Sequence, residues 1–259
     1  MNGAQSLHQA ENRSVILSGK GVTKFFGGLA ALMEVDFQLH EKEILGLIGP
    51  NGAGKTTLFH LIAGVYKPNQ GIIDFRGEHI NGLRPDVICK KGIARTFQIT
   101  KPFLEMSTLE NVMVGSYFGS HGRRFLKECQ RQAEDILLLV GLADKRNALA
   151  SQLTLVERKM LELARVLSTR PSILLLDEVI AGLNPTETLG MLDLIRKIRG
   201  QGITILMIEH VMKAIMGVSD RVIVLNYGRK IAEGAPEEIV ANQDVVKAYL
   251  GGMANAHSE

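Results

Sequence analysis

The sequence predicts an α/β fold with a mainly parallel sheet, an N-terminal antiparallel β region and an inserted helical subdomain. In the second half of the chain, the apolar runs SILLLD, ITILMI and RVIVLN alternate with helical segments. Strands separated by helices of this length pair in parallel through right-handed crossovers, and unbroken apolar runs are typical of strands covered on both faces. Near the N-terminus, VILSGKGVTKFF and EVDFQLH are joined by a short connection, which favours an antiparallel pair.

The length of the chain indicates one large domain that carries a further subdomain. With 259 residues, the chain exceeds the usual size of a single domain. We expect the α/β core at residues 15–106 and 169–251, and the helical subdomain at residues 107–168, where no strand pattern occurs. Residues 1–14 are polar, lack the apolar core of a signal peptide and are expected to form a disordered leader. Residues 252–259 are expected to form a tail.

Three helices are predicted in the subdomain, and two of them begin with a capping box. The run STLENVMVG at 107–115 opens with the pattern Ser-x-x-Glu. Residues 124–141 have apolar side chains at helical spacing. The run LTLVERKMLELARVL at 153–167 opens with a second box, formed by Thr154 and Glu157, and continues as an amphipathic helix.

Composition excludes several classes of protein. The net charge of +3 is too small to argue for nucleic acid as a partner, and the basic run RRFLKECQR at 123–131 is typical of a solvated helix face. Cys89 and Cys129 lack metal-ligand spacing and suit a reduced compartment better than a disulfide framework. No apolar run approaches the ~20 residues that span a bilayer. We therefore expect a cytoplasmic protein whose membrane role, if it has one, comes through partners.

The run GPNGAGKTT matches the P-loop pattern G-x-x-x-x-G-K-[ST] in full, between the apolar strand EILGLI and an apolar helix. Glycines allow successive backbone N–H groups to surround a phosphate, and the helix that begins near Lys55 directs its positive end at the same anion. Lys55 adds a charge for the β- and γ-phosphates, and Thr56 can ligate Mg²⁺. This context predicts the core of a P-loop NTPase. Its expected nucleotide-binding residues are Gly49, Pro50, Asn51, Gly52, Ala53, Gly54, Lys55, Thr56 and Thr57.

A second motif, LLLDE, ends the apolar run that begins at Ile173. At the end of this buried strand, Asp177 is expected to hold Mg²⁺ through water, and Glu178 to orient and deprotonate the attacking water. Such a strand end is a weak signal alone, because many strands end in acidic residues. Together with a complete P-loop it predicts an ATPase that uses ATP and Mg²⁺.

Over residues 15–251 the sequence resembles the ATP-binding subunits of ABC transporters, and GPNGAGKTT is the usual form of the P-loop in that family. Gln98, after IARTF, resembles the glutamine that senses Mg²⁺ and the γ-phosphate, and His210 resembles the switch histidine. AGLNPTE resembles the D-loop, with Asn184 where many members have Asp. Phe26 in KFFGG resembles the aromatic residue that stacks on adenine, although Phe25 is an alternative. The resemblance implies that Lys55, Gln98, Glu178 and His210 are catalytic, and that Thr56, Gln98 and Asp177 serve the metal.

The run LTLVE stands where the family carries its signature LSGGQ, which binds the γ-phosphate held by a partner subunit. Thr154 keeps a hydroxyl, so the resemblance makes it a candidate phosphate ligand in trans. Both glycines are absent: Leu155 and Val156 add bulk, and Glu157 adds a negative charge. The run is equally well described as a capped helix start. We expect this chain's own P-loop to hydrolyse ATP, whereas a partner's P-loop facing LTLVE binds ATP without efficient turnover.

Other segments, among them RTFQITKPFLEMSTLENVMVG and DVVKAYLGG, resemble the ATPases of branched-chain amino acid importers. This resemblance implies a second ATPase subunit in a head-to-tail hetero- or homodimer, two membrane-spanning permease subunits and a periplasmic or surface solute-binding protein, with the ATPase on the inner face of the cell membrane. An ABC exporter of lipid or polysaccharide stays open as an alternative. A non-transport ABC ATPase is also open, although this chain has one cassette and no heptad coiled coil. A small-molecule kinase would lack the spacing of Gln98 and His210.

Overall fold

The computed structural model describes residues 13–96, 101–119 and 125–255. The predicted leader therefore lies largely outside the described residues, and Gln98 lies entirely outside them. The chain forms two compact units. The first unit comprises Met1–Leu83 and Thr204–Glu259, and the second comprises Arg84–Ile203.

The secondary structure is that of a mixed α/β protein, as predicted. The strands are β1 (Val15–Phe26), β2 (Leu29–His40), β3 (Ile44–Ile48), β4 (Gln70–Phe75), β5 (Glu78–His79), β6 (Ile93–Arg95), β7 (Ile173–Asp177), β8 (Thr204–Ile208), β9 (Arg221–Asn226) and β10 (Arg229–Gly234). The helices are α1 (Lys55–Ile62), α2 (Pro85–Lys91), α3 (Thr108–Phe118), α4 (Leu126–Leu139), α5 (Leu155–Ser168), α6 (Pro185–Gly200), α7 (Met212–Val218), α8 (Pro236–Ala241) and α9 (Gln243–Asn255).

The N-terminal β region is an antiparallel sheet with the strand order β2-β1-β4-β5. Strand β2 begins at Leu29, earlier than the predicted start at Glu34, because Gly27 adopts φ +58° and a tight turn pairs Phe26 with Leu29. The sequence predicts a short connection between these strands, and the structure makes it shorter still. The resulting hairpin brings Phe26 to the end of β1, immediately before the turn.

The mainly parallel sheet of the first unit has the order β10-β9-β3-β8, in which β3 pairs in parallel with both β8 and β9. Every residue of β3 and β8 is buried, as expected for strands covered on both faces. Helix α1 follows β3 directly after the P-loop. It ends at Ile62, because Gly64 takes a left-handed conformation with φ +74°.

The second unit contains the parallel pair β6–β7, in which Arg95 lies opposite Leu175, together with helices α2 to α6. Both predicted capping boxes are confirmed: Ser107 and Glu110 cap α3, and Thr154 and Glu157 cap α5. Between these helices the described residues of 107–168 contain α4 and two short 3-10 turns, at Ala143–Lys145 and Ala150–Gln152. No helix in the described part of the chain has the length and apolar character that a membrane span requires.

Candidate functional site

The P-loop backbone is built on glycines in conformations that other residues avoid. Gly49, Gly52 and Gly54 have φ values of +151°, +77° and +102°. A Cβ atom at Gly49 would lie 2.1 Å from the carbonyl oxygen of Leu225, and one at Gly54 would lie 2.5 Å from that of Ala31. The loop is therefore packed against neighbouring backbone, and glycine is required at both positions.

Lys55 and helix α1 place positive charge at the loop. The Lys55 side chain is 6% exposed, and its Nζ donates hydrogen bonds to the carbonyl oxygens of Gly49 at 2.7 Å and Pro50 at 2.9 Å. The N-cap of α1 is Gly54, which supplies no side-chain acceptor for the first-turn N–H groups. A lysine held inside the loop beside an open helix N-terminus forms a site for an anion.

The other predicted nucleotide-binding residues of the loop differ in exposure. Asn51, Gly52 and Thr56 are exposed, Pro50, Gly54 and Thr57 are half-buried, and Ala53 is buried. The carbonyl oxygen of Ala53 accepts a hydrogen bond of 3.1 Å from the backbone N–H of Gly228, in the turn between β9 and β10. An exposed Thr56 at the start of α1 has a hydroxyl available to a metal-bound nucleotide, as the motif predicts.

An aromatic surface lies at the end of β1 in the same unit. Phe26 is 41% exposed and Phe25 39% exposed. The rings of Phe26 and Tyr66 form an edge-to-face pair with centroids 5.1 Å apart, and Lys24 Nζ lies 5.2 Å from the centroid of Phe26. Both phenylalanines retain area for a base, so the assignment of the adenine contact to Phe26 stays a prediction. His210 lies two residues beyond the end of β8 and is exposed.

Asp177 ends β7 in the second unit and is 2% exposed. Its Oδ2 accepts a hydrogen bond of 2.7 Å from Nη2 of Arg95, which comes from the adjacent strand β6. The backbone N–H of Asp177 donates to Thr96 Oγ1 at 3.1 Å. Arg95 gives this buried carboxylate a countercharge and a charge-assisted hydrogen bond.

Glu178 directly follows β7 and has φ +51°. A left-handed conformation is uncommon for a residue with a side chain, and such residues occur preferentially at active sites. Lys159, on α5, donates hydrogen bonds from Nζ to the carbonyl oxygen of Val179 at 3.1 Å and, more weakly, to that of Glu178 at 3.5 Å. The turn after Asp177 is therefore tied to the helix that begins at the LTLVE run.

The start of α5 shows what the side chains of Thr154 and Glu157, in the LTLVE run, contact. Thr154 Oγ1 accepts a hydrogen bond of 3.3 Å from the backbone N–H of Glu157, and Glu157 Oε2 accepts one of 2.9 Å from the backbone N–H of Thr154. Lys145 Nζ lies 3.5 Å from Glu157 Oε1. These contacts, the backbone bond first, lower the pKa of Glu157. Its carboxylate is ionised but turned back onto its own helix, while Leu155 is 56% exposed.

Asp177, in the second unit, has a carboxylate, and Thr56, in the first unit, has a hydroxyl, and each is an oxygen donor of the kind that Mg²⁺ prefers. Among the described residues there is no cluster of three or more His, Cys, Asp or Glu side chains that would hold a metal by itself. Either donor would need phosphate oxygens and water to complete the coordination of Mg²⁺, which agrees with a nucleotide-bound ion. Gln98, the third predicted metal contact, lies outside the described residues.

Sequence reasoning missed two residues that contact the predicted motifs, one in each unit. Arg95 lies in IARTF, directly before the segment that leads to Gln98, but its pairing with Asp177 joins positions 82 residues apart. Tyr249, on α9, forms a hydrogen bond with the backbone of Gly49, and burial raises the pKa of its phenol. An arginine in a short strand was the available signal for the first, whereas nothing local to the C-terminal sequence indicated the second.

A complete P-loop and a buried strand that ends in Asp-Glu define the class as a P-loop ATPase. The ABC transporter family model matches residues 32–181, and a model for branched-chain amino acid ATP-binding cassette transporters matches residues 229–255. The chain belongs to the ABC transporter family, as an ATP-binding cassette. The prediction of an ATP-hydrolysing protein of this family is confirmed.

Curated relatives span nearly the whole chain. The chain is 44% identical over 249 residues to the high-affinity branched-chain amino acid transport ATP-binding protein LivG of Salmonella typhimurium, covering 91% of this chain and 98% of the relative. It is 43% identical to the corresponding protein BraF of Pseudomonas aeruginosa, with the same coverage.

Solved structures confirm the fold. The ADP conformation of MJ1267, an ATP-binding cassette of an ABC transporter, superposes with a TM-score of 0.85 at 29% identity, covering 92% of this chain and 99% of that one. The dimeric structure of MJ0796, a bacterial ABC transporter cassette, gives a TM-score of 0.77 at 25% identity, covering 85% and 98%.

Proposed function

We propose that this chain is the ATP-hydrolysing subunit of an importer for branched-chain or other amino acids. The main support for this substrate class is that the chain is 44% identical to LivG over 249 residues. It is supported by the separate match of residues 229–255, beyond the catalytic motifs, to the branched-chain amino acid group. No residue described at the ATP site contacts a transported solute, so the substrate class depends on these relatives alone.

The proposed chemistry is hydrolysis of MgATP by in-line attack of water. Lys55 and the N–H groups of the P-loop bind the β- and γ-phosphates, and Glu178 accepts the proton of the attacking water as ADP leaves. When bound, Mg²⁺ neutralises charge that develops on the phosphate oxygens. Thr56 and Asp177 would hold the ion, with Gln98 as a further contact. His210 would sense the γ-phosphate as the switch histidine.

The proposed assembly contains two ATPase subunits packed head to tail, two membrane-spanning permease subunits and a periplasmic or surface solute-binding protein. A dimeric arrangement is supported by the dimer known for the related cassette MJ0796. The permease partners would place this chain on the inner face of the cell membrane, with the helical subdomain at residues 107–168 contacting them near Gln98. Nucleic acid is not expected as a partner.

The two ATP sites of this dimer are proposed to be unequal. Leu155 and Val156 replace the glycines that would admit a partner's γ-phosphate, and the ionised Glu157 lies in the same first turn. Thr154 still has a hydroxyl, but that hydroxyl accepts the capping bond from Glu157. A partner's P-loop facing this turn would bind ATP and hydrolyse it slowly, whereas the site built on Lys55 and Glu178 would turn over.

Reconstitution tests the proposed function. A tagged form of this chain is expressed with candidate permease, ATPase and solute-binding subunits, and the untagged permease subunits that copurify with it are identified. The complex is placed in proteoliposomes with ATP inside, and the solute-binding protein and radiolabelled leucine are added outside. We expect ATP-dependent accumulation that Lys55→Met abolishes. Copurification without amino acid uptake, but with ATP-driven movement of lipid or polysaccharide, would support the exporter alternative. Absence of any permease in the complex would contradict a transport role.

A further inference from the structure

Arg95 and Asp177 form an ion pair at the position where a metal-bound nucleotide is expected to be held. The Nη2–Oδ2 distance is 2.7 Å, and the two side chains are 11% and 1% exposed. Water therefore contributes little to the stability of either charge, and each charge depends on the other. No role for Arg95 follows from the P-loop or from the Asp-Glu motif.

The backbone around the pair is fixed. Arg95 lies opposite Leu175 in the parallel pairing of β6 and β7, and the N–H of Thr96 donates to the carbonyl oxygen of Leu175 at 3.0 Å. The guanidinium itself is less firmly held, because its Nε is buried without a hydrogen-bond partner among the described residues. Movement of the guanidinium away from Asp177 would therefore break the Nη2 hydrogen bond but none at Nε, while the Cα atom of Arg95 stays in place.

A magnesium ion at Asp177 would compete with this guanidinium. Both are cations that are stabilised by the same buried carboxylate, and at a separation of a few ångströms they repel each other. Each can bind fully only when the other has weakened its contact. Binding of the metal and the Arg95–Asp177 bond are thus thermodynamically coupled, with a negative sign.

We propose that Arg95 is a positioning residue that occupies the metal-ligating carboxylate of Asp177 when Mg²⁺ is not bound and yields it when MgATP binds. The inference rests on the proposed role of Asp177 in ATP hydrolysis. Between turnovers, when the ion leaves with the products, Arg95 holds the Asp177 carboxylate in position. The cost is a lower affinity for the ion, which promotes release of MgADP.

The test compares ADP binding to the full-length chain in Mg²⁺ and in EDTA, by calorimetry. The quantity of interest is the ratio of the two dissociation constants, because it isolates the contribution of the metal. We expect Mg²⁺ to tighten ADP binding more in Arg95→Met than in the wild type. The dissociation constant in EDTA divided by that in Mg²⁺ should be at least about fivefold larger in the variant. Arg95→Lys retains the charge and should stay within about twofold of the wild type, on the same scale.

Arg165→Met is the matched control. Arg165 is a half-buried arginine of the same unit, with its guanidinium 4.6 Å from the ring centroid of Phe103 and its Nη1 bonded to the carbonyl oxygen of Lys101. Its loss should leave the ratio unchanged. A ratio for Arg95→Met that is unchanged or smaller, in protein that still binds ADP, overturns the proposal.

A measurement on the wild-type chain avoids dependence on a folded variant. The ¹⁵N signal of the Arg95 guanidinium, assigned by its loss in Arg95→Lys, should shift when Mg²⁺ is added to the ADP complex and not when ADP is added alone. If the signal does not shift when Mg²⁺ is added, the proposal for Arg95 is wrong, whereas the proposed ATPase function is not affected. If Mg²⁺ has no effect on ADP affinity in the wild type, the proposed role of Asp177 fails, and the inference fails with it.

Discussion

The side-chain nitrogen of Lys55 lies 2.7 Å from the carbonyl oxygen of Gly49, at the opposite end of the same loop. This bond closes the P-loop on itself and holds a buried positive charge at the point where the loop backbone has its glycine-dependent turns. The loop is therefore held in its conformation by contacts within the chain.

Replacement of this lysine tests the charge. Lys55→Met retains much of the buried aliphatic stem and removes the ammonium group, so ATP affinity should fall by about 10- to 100-fold, as expected for loss of one charge-assisted hydrogen bond. Equilibrium binding of a fluorescent ATP analogue measures the effect. Lys20→Met, at an exposed position of β1, is the control and should bind as the wild type does. Equal affinity in all three proteins would exclude Lys55 from phosphate binding.

Glycine at position 49 is tested by a pair of substitutions with opposite expected signs. Gly49→Ala places a Cβ 2.1 Å from the carbonyl oxygen of Leu225 at φ +151°, and should lower the free energy of unfolding by about 2 kcal/mol or more. Gly190→Ala, in α6 with open space around it, should raise it by about 0.5–1 kcal/mol. Urea denaturation measures both, and a neutral Gly49→Ala would show that the loop is not tightly packed.

The fold was largely predictable from sequence because its signals are local. Strands β1 and β9 have the same bounds as the predicted runs VILSGKGVTKFF and RVIVLN, because the residue patterns that define a strand act within a few residues. Neither α2 nor the hairpin strand β10 was predicted from the sequence. The residues of β10 are mostly half-buried rather than strictly alternating, and α2 is a short helix that begins at a proline.

The site was predicted where a motif is contiguous and missed where contacts are long-range. The P-loop and the Asp-Glu pair are each continuous in sequence, so residue types and spacing sufficed. The Arg95–Asp177 ion pair depends on the register of β6 against β7, which residue patterns do not specify. The sequence likewise did not show where the Glu157 carboxylate points. Only the structure shows that it accepts a hydrogen bond from the backbone N–H of Thr154.

The cap at the start of α5 should contribute to stability whatever its role in trans. Thr154→Ala removes the oxygen that accepts from the N–H of Glu157, and should lower the free energy of unfolding by about 0.5–2 kcal/mol. Thr154→Ser keeps the hydroxyl and should be nearly neutral. If Thr154→Ala unfolds at the same denaturant concentration as the wild type, the capping box does not contribute to the free energy of unfolding.

The same cap predicts a pH dependence. Because the hydrogen bond from the backbone of Thr154 lowers the pKa of Glu157 below its ordinary value of 4.5, the ionised carboxylate stabilises the fold above that pH. This contribution is lost as the pH falls through the lowered pKa of the folded state. The stability difference between the wild type and Glu157→Gln should therefore be largest near neutral pH and shrink in acid. A difference that is independent of pH would contradict the assignment.

Hydrolysis by the purified ATPase dimer carrying Glu178→Gln in this chain tests the central claim most directly, because that claim assigns turnover to the site built on this P-loop. We predict that ATP binding is retained and that the hydrolysis rate falls by at least about 100-fold, as expected for loss of a general base. Glu134→Gln, at a half-buried position of α4, is the control and should hydrolyse ATP at the wild-type rate. Activity of Glu178→Gln close to that of the wild type would contradict the account, because the other ATP site, which faces LTLVE, would then be the one that turns over.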